Sequence, residues 1–195
     1  MRPSEPCASG VRYPATLFIV TGLSGAGKTT HARRLQERVD TDRLSADEWL
    51  DALQIDHRDV RARARAEGAQ RQIARELLIQ GRSVVIEWGC WSRSERTALW
   101  RLACSVGATT ALHHIDPPPD LTWHRLTLRN DRPIPTRQDF LRSVAAFEPI
   151  RSDEARLHTH FVHITEAVHE ATPPFAQSED RRTCAPFEIP PPPTV

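Results

Sequence analysis

The stretch that decides the fold of this chain is GLSGAGKTT, residues Gly22 to Thr30. It follows the apolar run ATLFIV at 15–20 and precedes a run of good helix formers that ends at Arg38. Two glycines, a lysine and a threonine fit the pattern G-x-x-x-x-G-K-[ST]. An apolar run before such a loop and a helical run after it predict a strand, a phosphate-binding loop and a helix in succession. The alternative is a glycine-rich turn that only connects a strand to a helix.

Each residue type in this loop has a physical reason to be there. The glycines bring backbone N–H groups close to an anion, and the start of the next helix adds the positive end of its dipole. Lys28 is predicted to reach the β- and γ-phosphates, and the Thr29 hydroxyl is predicted to bind Mg²⁺, which prefers oxygen ligands. The residues expected to bind the nucleotide are Gly22, Leu23, Ser24, Gly25, Ala26, Gly27, Lys28, Thr29 and Thr30.

The length of the chain indicates one domain, and its charge balance excludes a strong electrostatic field over the whole protein. The chain has 195 residues, and its 26 basic and 25 acidic residues leave a net charge of +1. We therefore expect neither nucleic acid nor a membrane as a partner.

Residues 1–14 are expected to form a loose arm, 15–172 the domain, and 173–195 a proline-rich disordered tail. No run is apolar enough to span a bilayer, so we expect a cytoplasmic protein with free thiols.

Apolar runs alternate with helical patterns along the chain. We expect strands at 15–21, 43–45, 83–86, 109–115 and 160–164. We expect helices at 30–38, from 45, at 57–80, 92–106, 121–129 and 137–147. The inward positions expected in the long helix are Val60, Ala64, Ile73, Leu77 and Leu78. This alternation predicts an α/β fold with a doubly wound parallel sheet, in which ligands bind beyond the carboxyl ends of the strands.

Two acids fall at such strand ends. Asp47 follows the second strand, inside the capping-box pattern Ser45 to Glu48, and is the best candidate for a general base. Its other interpretation is an acid favoured by the helix dipole. Glu87 follows the apolar run 83–86, where it could hold Mg²⁺ or orient a substrate; alternatively it is a structural acid paired with a cation.

Arginines and aromatic residues supply the remaining candidates. Arg125 and Arg129 lie four apart on one predicted helix, and Arg132 begins a polar excursion, as in a short lid that brings guanidinium groups over phosphates. A solvated basic face is the alternative, as it is for the arginines of the long helix. Trp88 and Trp91 could wall an acceptor pocket or serve packing. The candidate metal ligands set aside are His158, His160 and His163, because His160 and His163 fall on opposite faces of a strand.

The chain resembles the group of small P-loop kinases known as zeta-toxin-like or AAA-type predicted kinases, related to chloramphenicol phosphotransferase and the kinase part of polynucleotide kinase. The resemblance spans residues 15–165, and its motifs lie at 22–30, 43–49, 84–96, 125–129 and 147–149. It implies a three-layer α/β/α fold with a five-stranded parallel sheet in the order 2-3-1-4-5, ATP with Mg²⁺, Asp47 as base and lid arginines Arg125 and Arg129. Glu87 stands where an Asp is expected in the group, and assembly into a ring is not implied.

Together these features predict an ATP-dependent kinase that phosphorylates a hydroxyl of a small metabolite or antibiotic. Two other functions remain open. A 5′-polynucleotide or toxin-like kinase would share every catalytic part but should present a basic channel or an aromatic stacking platform. A nucleotide-binding regulator would bind ATP without transferring phosphate. The acceptor and the oligomeric state do not follow from the sequence.

Overall fold

Five parallel strands form a sheet at the centre of the computed structural model, which describes residues 14–130 and 133–165. The strands are β1 (Thr16–Thr21), β2 (Thr41–Leu44), β3 (Ser83–Gly89), β4 (Thr109–Ile115) and β5 (His160–Ile164). Their order across the sheet is β2-β3-β1-β4-β5, and every neighbouring pair runs parallel. The predicted α/β fold and its strand order are confirmed.

Helices lie between successive strands and cover the sheet. Within the described residues they are α1 (Lys28–Arg38), α2 (Ala46–Ala52), α3 (Val60–Ile79), α4 (Arg93–Ser105), α5 (Pro119–Thr127), α6 (Arg137–Ala146) and the short α7 (Ser152–Ala155). Both halves of a capping box form at the start of α4, between Ser92 and Glu95. No helix of the described residues has the length and apolar character that crossing a membrane requires.

The central strand β1 is buried on both faces, which explains its continuous apolar run. Leu17 and Ile19 pack in a core with residues of α3 and α4, including Ala74 and Leu99. Phe18 and Val20 point to the other face; the α1 residues in this second core are Ala32 and Leu35. The phosphate-binding loop thus leaves the most enclosed strand of the sheet.

Helix α3 differs from its prediction in start and in phase. The Asp59 side chain accepts a hydrogen bond from the N–H of Ala62, so the helix begins at Val60 and not at His57. Val60 is 76% exposed and Ile73 39% exposed, contrary to the expected inward positions. The buried positions are Ala62, Ala66, Gln70, Ala74 and Leu78. Three of these five positions, spaced four apart, are alanines, which allow the helix to approach its neighbours closely, and this outweighs burial of Val60 and Ile73.

Strand β3 continues three residues beyond the predicted end at Ile86. The Thr21 hydroxyl donates hydrogen bonds to the carbonyls of Gly89 and Cys90, at 2.5 and 2.9 Å. Because the end of β1 holds this segment, Glu87 lies inside the strand and not at its exit, and Trp88 is a strand residue rather than a loop residue. The predicted N-terminal arm up to residue 13, Arg132, and the predicted tail 173–195 lie outside the described residues.

Candidate active site

The loop between β1 and α1 wraps closely against two other elements. Gly22 has φ +145°, and a Cβ atom there would lie 2.3 Å from the carbonyl oxygen of Ile115 at the end of β4. Gly25 has φ +83°, and a Cβ atom would lie 2.7 Å from Cγ of Leu126 in α5. No side chain fits at either position. The loop backbone therefore passes against β4 and α5, with helix α1 beginning immediately after it.

Lys28 lies in the first turn of α1 and folds back over the loop. Its Nζ donates a hydrogen bond to the carbonyl of Leu23 at 2.9 Å. Burial lowers the pKa of this ammonium below its ordinary value, and the nearby carboxylates of Glu87 and Asp47 oppose the shift. The lysine is thus a desolvated cation with acidic groups beside it, as expected of a group that meets phosphate oxygens.

Glu87 connects Thr29 to an ion-pair network. The Thr29 hydroxyl donates a hydrogen bond to Oε1 of Glu87, and Arg43 donates to Oε2 at 2.8 Å. Arg43 also donates to both carboxylate oxygens of Glu48, at 2.5 and 2.6 Å. Burial acts to lower the pKa of Arg43, but its hydrogen bonds and charge interactions with Glu48 and Glu87 outweigh burial and raise it. Glu87 thus pairs with a cation, which is one of its two interpretations, and it contacts the hydroxyl predicted to bind Mg²⁺; its own role toward a metal or substrate stays a prediction.

The sequence predicts a capping box from Ser45 to Glu48, and only half of it forms. The N–H of Glu48 approaches the Ser45 hydroxyl at 3.5 Å, but the Glu48 side chain turns to Arg43 instead of returning to the Ser45 backbone. The charge of a guanidinium outweighs a single backbone N–H as a partner. Arg43 is a site residue that sequence reasoning missed; the available signal was a charged residue in the predicted strand 43–45.

Asp47 occupies the first turn of α2 and faces α3. Its Oδ1 accepts a hydrogen bond from Arg63 at 2.6 Å and lies 3.7 Å from Nδ1 of His57. The charge of Asp47 also acts on the pKa of Lys28, so the carboxylate and the loop lysine share one region. Asp47 is 38% exposed, which leaves it open to an incoming molecule. Arg63, which holds this carboxylate, is one of the arginines of the long helix, and nothing in the sequence distinguished it from the others.

Helix α5, which ends at Thr127 and not at the predicted residue 129, and the turn after it bring arginines to the loop. Arg125 donates a hydrogen bond to the carbonyl of Ala26 at 2.9 Å, and the charge of Arg129 acts on the pKa of Lys28. In this arrangement Arg125 binds the loop backbone. Both predicted arginines thus lie beside the phosphate-binding loop, whereas Arg132 lies outside the described residues.

A cavity lies on the α3 and α4 side of the sheet, beside the end of β3. Its volume is about 50 Å³, and its lining residues are Glu67, Arg71, Trp88, Cys90, Glu95 and Leu99. The Trp88 indole N–H donates to Oε1 of Gln70 at 2.6 Å, and Gln70 Nε2 donates to the Ser45 carbonyl at 3.0 Å. These bonds fix the indole against the segment that carries Asp47. Burial raises the pKa of the Cys90 thiol to about 12, so this free thiol stays protonated.

The order of the strands, together with a glycine-rich loop that carries Lys28 and Thr29, defines a P-loop protein with a kinase-like α/β fold. A family model of the AAA domain, AAA_33, matches residues 17–150, which is more than half of the chain. The chain belongs to this family. The resemblance to AAA-type predicted P-loop kinases is confirmed. No sequence among curated proteins matches the chain significantly.

Several solved structures share the fold at low sequence identity. A sugar kinase from Janibacter sp. HTCC2649 is 19% identical, with a TM-score of 0.56 over 78% of this chain and 86% of that one. Kti12 from Chaetomium thermophilum, solved with ADP-AlF3, is 18% identical, with a TM-score of 0.59 over 76% and 88%. The APS kinase CysC of Mycobacterium tuberculosis, solved with AMPPNP and APS, is 15% identical, with a TM-score of 0.53 over 79% and 91%. They are neighbours in fold.

Proposed function

We propose that this protein is a kinase that transfers the γ-phosphate of ATP to a hydroxyl group of a small molecule. The observation that carries the proposal is the convergence of a lysine, a hydroxyl and two carboxylates on one region. Lys28 is within charge range of Glu87 and Asp47, and Glu87 accepts a hydrogen bond from Thr29. Phosphoryl transfer needs mainly position and charge, which these groups supply.

The loop and its neighbours suit a nucleotide with Mg²⁺. The backbone of Gly22 to Thr30 and the ammonium of Lys28 would hold the phosphates. The hydroxyl of Thr29 and the carboxylate of Glu87, already in contact, are the oxygen ligands that Mg²⁺ prefers. The ion would neutralise charge on the phosphate oxygens when bound. Arg125 and Arg129, beside the loop, are the candidates for completing the charge around the transferred group.

Asp47 is the proposed general base. Its carboxylate is accessible, and Arg63 holds it by a hydrogen bond that fixes its direction. The acceptor would enter over the cavity beneath Trp88, where Glu67 and Glu95 offer carboxylates to hydroxyl groups and the indole offers an apolar wall. The cavity is near Asp47, since Glu67 in its lining lies 3.8 Å from Arg63, which holds Asp47, and this nearness supports that use.

The test is incubation of the full chain with ATP, Mg²⁺ and a library of metabolites and antibiotics, followed by mass spectrometry. Phosphorylation of a library member by the wild type, and not by Lys28→Ala, is the expected result. A protein that binds ATP but transfers phosphate to no acceptor would instead be a nucleotide-binding regulator, and the kinase proposal would be wrong.

One observation supports a second candidate, a 5′-polynucleotide kinase. The solvent face at the start of α3 is basic: Arg58, Arg61 and Arg65 are all exposed, and Arg63 between them contacts Asp47. Such a row could bind a nucleic-acid backbone. A 5′-hydroxyl oligonucleotide in the same library tests this candidate, with Arg61→Ala/Arg65→Ala as the variant. Phosphorylation that the double variant loses, and that falls steeply with added salt, would favour the polynucleotide function over a small-molecule acceptor.

A further inference from the structure

Three potential metal ligands meet at the carboxyl ends of β4 and β5, in a cluster that the proposed kinase reaction does not use. The cluster consists of His114, Asp116 and His163, and one ligand atom from each lies within 4.8 Å of the others. Nε2 of His163 is 3.0 Å from Oδ2 of Asp116. The imidazole rings of His114 and His163 are nearly parallel, with centroids 4.9 Å apart.

Backbone pairing brings these side chains together. His114 of β4 is the register partner of His163 of β5, so the two rings project from adjacent strands on one face of the sheet. The N–H of Asp116 donates to the carbonyl of Ile164 at 2.7 Å, which extends the pairing past the end of β4. Two of the three side chains therefore lie on paired strands, and the third is positioned by a backbone hydrogen bond that continues this pairing.

We propose that His114, Asp116 and His163 form a binding site for a divalent transition-metal ion, with Zn²⁺ as the best fit. Two imidazoles and a carboxylate are donors that Zn²⁺ accepts, whereas Mg²⁺ and Ca²⁺ prefer oxygen ligands alone. Two ligands bound at about 2.0–2.1 Å to a tetrahedral ion lie about 3.3 Å apart. The His163 and Asp116 atoms are already close to that separation, so the ion would take the place of the shared proton. That proton passes to the other ring nitrogen of His163 or to solvent.

Burial and charge around the cluster suit this use. His114 is only 8% exposed, and its ring stacks on Phe147, so one ligand is held in place. The lone pair of a ring nitrogen lies in the plane of the imidazole, so His163 has to turn out of its stack on His114 for both rings to ligate one ion. Asp116 and His163 are exposed, which leaves room for this rotation and a coordination position for water. The buried cation Arg96, which lies over the Phe147 ring, is paired with Glu154 at 2.6 Å, and its charge is therefore compensated.

The test is calorimetric titration of the metal-free full chain with Zn²⁺, in the absence of ATP and Mg²⁺. The wild type should bind Zn²⁺, and Asp116→Asn and His163→Ala should each weaken this binding. Loss of a residue that only hydrogen-bonds to a metal ligand usually lowers the affinity about 10- to 100-fold, so loss of a ligand should lower it by at least that much. Both residues are exposed, so these variants should keep the wild-type melting temperature in EDTA. The matched control is His160→Ala on the same strand, which should bind Zn²⁺ as the wild type does.

Substitution with Co²⁺ gives a second measurement. Visible absorption of a four-coordinate site with nitrogen and oxygen ligands, lost in His163→Ala and retained in His160→Ala, is the supporting result. A charge-transfer band typical of thiolate ligation would place the ion on a cysteine instead. Equal Zn²⁺ affinity in the wild type, Asp116→Asn and His163→Ala would overturn the proposal and leave the cluster as a stack of aromatic rings with one hydrogen bond.

Discussion

Lys28 is the only lysine among the 26 lysine and arginine residues of the chain. An ammonium is a compact point charge, whereas a guanidinium is a planar fork with five donors. The single lysine occurs where the loop pattern requires one, folded over the loop onto the Leu23 carbonyl. At the scale of the residue, this side chain therefore offers the most selective test of the nucleotide site.

We expect Lys28→Ala to lose nucleotide binding and keep its fold. At an ATP concentration 100 times the dissociation constant, the wild type should gain about 2.7 kcal/mol of unfolding free energy, and the variant far less. Urea unfolding with and without ATP measures this difference. Because no other lysine competes, an amine-reactive ATP analogue should label one side chain, and ATP should protect it. Equal ATP-dependent stabilisation of the two proteins would exclude this loop as the nucleotide site.

Asp47→Asn should leave ATP binding intact and lower turnover about 10²- to 10⁴-fold, the usual contribution of a positioned general base. The loss should appear mainly in kcat, because the proton moves only on the way to the transition state. Steady-state kinetics with an acceptor, or slow hydrolysis of ATP, measures it.

The control for Asp47→Asn is Asp51→Asn. Asp51 lies one turn along α2 and binds the same His57, at 2.5 Å. Glu48 is the nearer acid in sequence, but it binds Arg43, which also holds Glu87, so its replacement would disturb the predicted metal ligand. If Asp47→Asn kept turnover within about threefold of the wild type, Asp47 would be an acid that only stabilises the helix start.

At the scale of elements, Arg96 joins α4 to the segments around it. Its guanidinium is fully buried, forms hydrogen bonds with both carboxylate oxygens of Glu154 in α7, and donates to the carbonyls of Cys90, Trp91 and Glu148. The buried guanidinium therefore links helix α4 to the loop after β3 and to the segment before β5. The sequence shows only an arginine in a helix, with nothing to mark it as buried.

Arg96→Met should destabilise the protein by about 3–5 kcal/mol, because it leaves the Glu154 carboxylate buried without its partner. Denaturant unfolding at neutral pH measures this loss. The double variant Arg96→Met/Glu154→Met removes both charges and should recover part of the stability. A loss below about 1 kcal/mol in the single variant would show that Glu154 becomes protonated or hydrated at little cost.

At the scale of the whole molecule, the buried histidines couple stability to pH. Burial lowers the pKa of His31 to about 4, of His113 to about 3 and of His158 to about 4. In the unfolded chain these groups titrate near 6.5. Between pH 6.5 and about 4 the unfolded state therefore binds more protons than the folded state, and folding becomes less favourable as the pH falls.

We expect the unfolding free energy to be nearly constant above pH 7 and to decrease below about 6.5, by up to about 1.4 kcal/mol per pH unit for each of these histidines. Urea unfolding at pH 7, 6 and 5 measures the slope. His158→Gln should reduce the slope, since it removes one of the three groups. Stability that is unchanged or higher at pH 5 than at pH 7 would contradict the assignment of neutral, buried imidazoles.

The predicted division of the chain also concerns the whole molecule. Deleting residues 173–195 should leave the melting temperature and the affinity for ATP unchanged, because that segment lacks periodic apolar residues that could pack on the domain. Thermal unfolding and ATP titration of the shortened chain measure both quantities. A clear drop in melting temperature would mean that the segment contributes to the domain.

The sequence by itself determined the phosphate-binding loop, the five strands, and the positions of Asp47, Arg125 and Arg129 beside the loop, whereas the order of the strands was implied by the family resemblance. These features depend on local patterns: a fixed spacing of glycine, lysine and threonine, continuous apolar runs, and acids that follow strands. Each pattern reports the conformation or burial of its own segment, so a single chain is enough to interpret it.

The tertiary structure alone decided which side chains meet. It turned α3 onto its alanine face, extended β3 through Glu87, and paired Arg43 with Glu87 and Arg63 with Asp47. It also brought His163 to His114 and Asp116, whereas the histidines close to His163 in sequence are His158 and His160. Register and helix phase are set by the packing of distant segments, so the local sequence does not specify which side chains of different strands and helices meet.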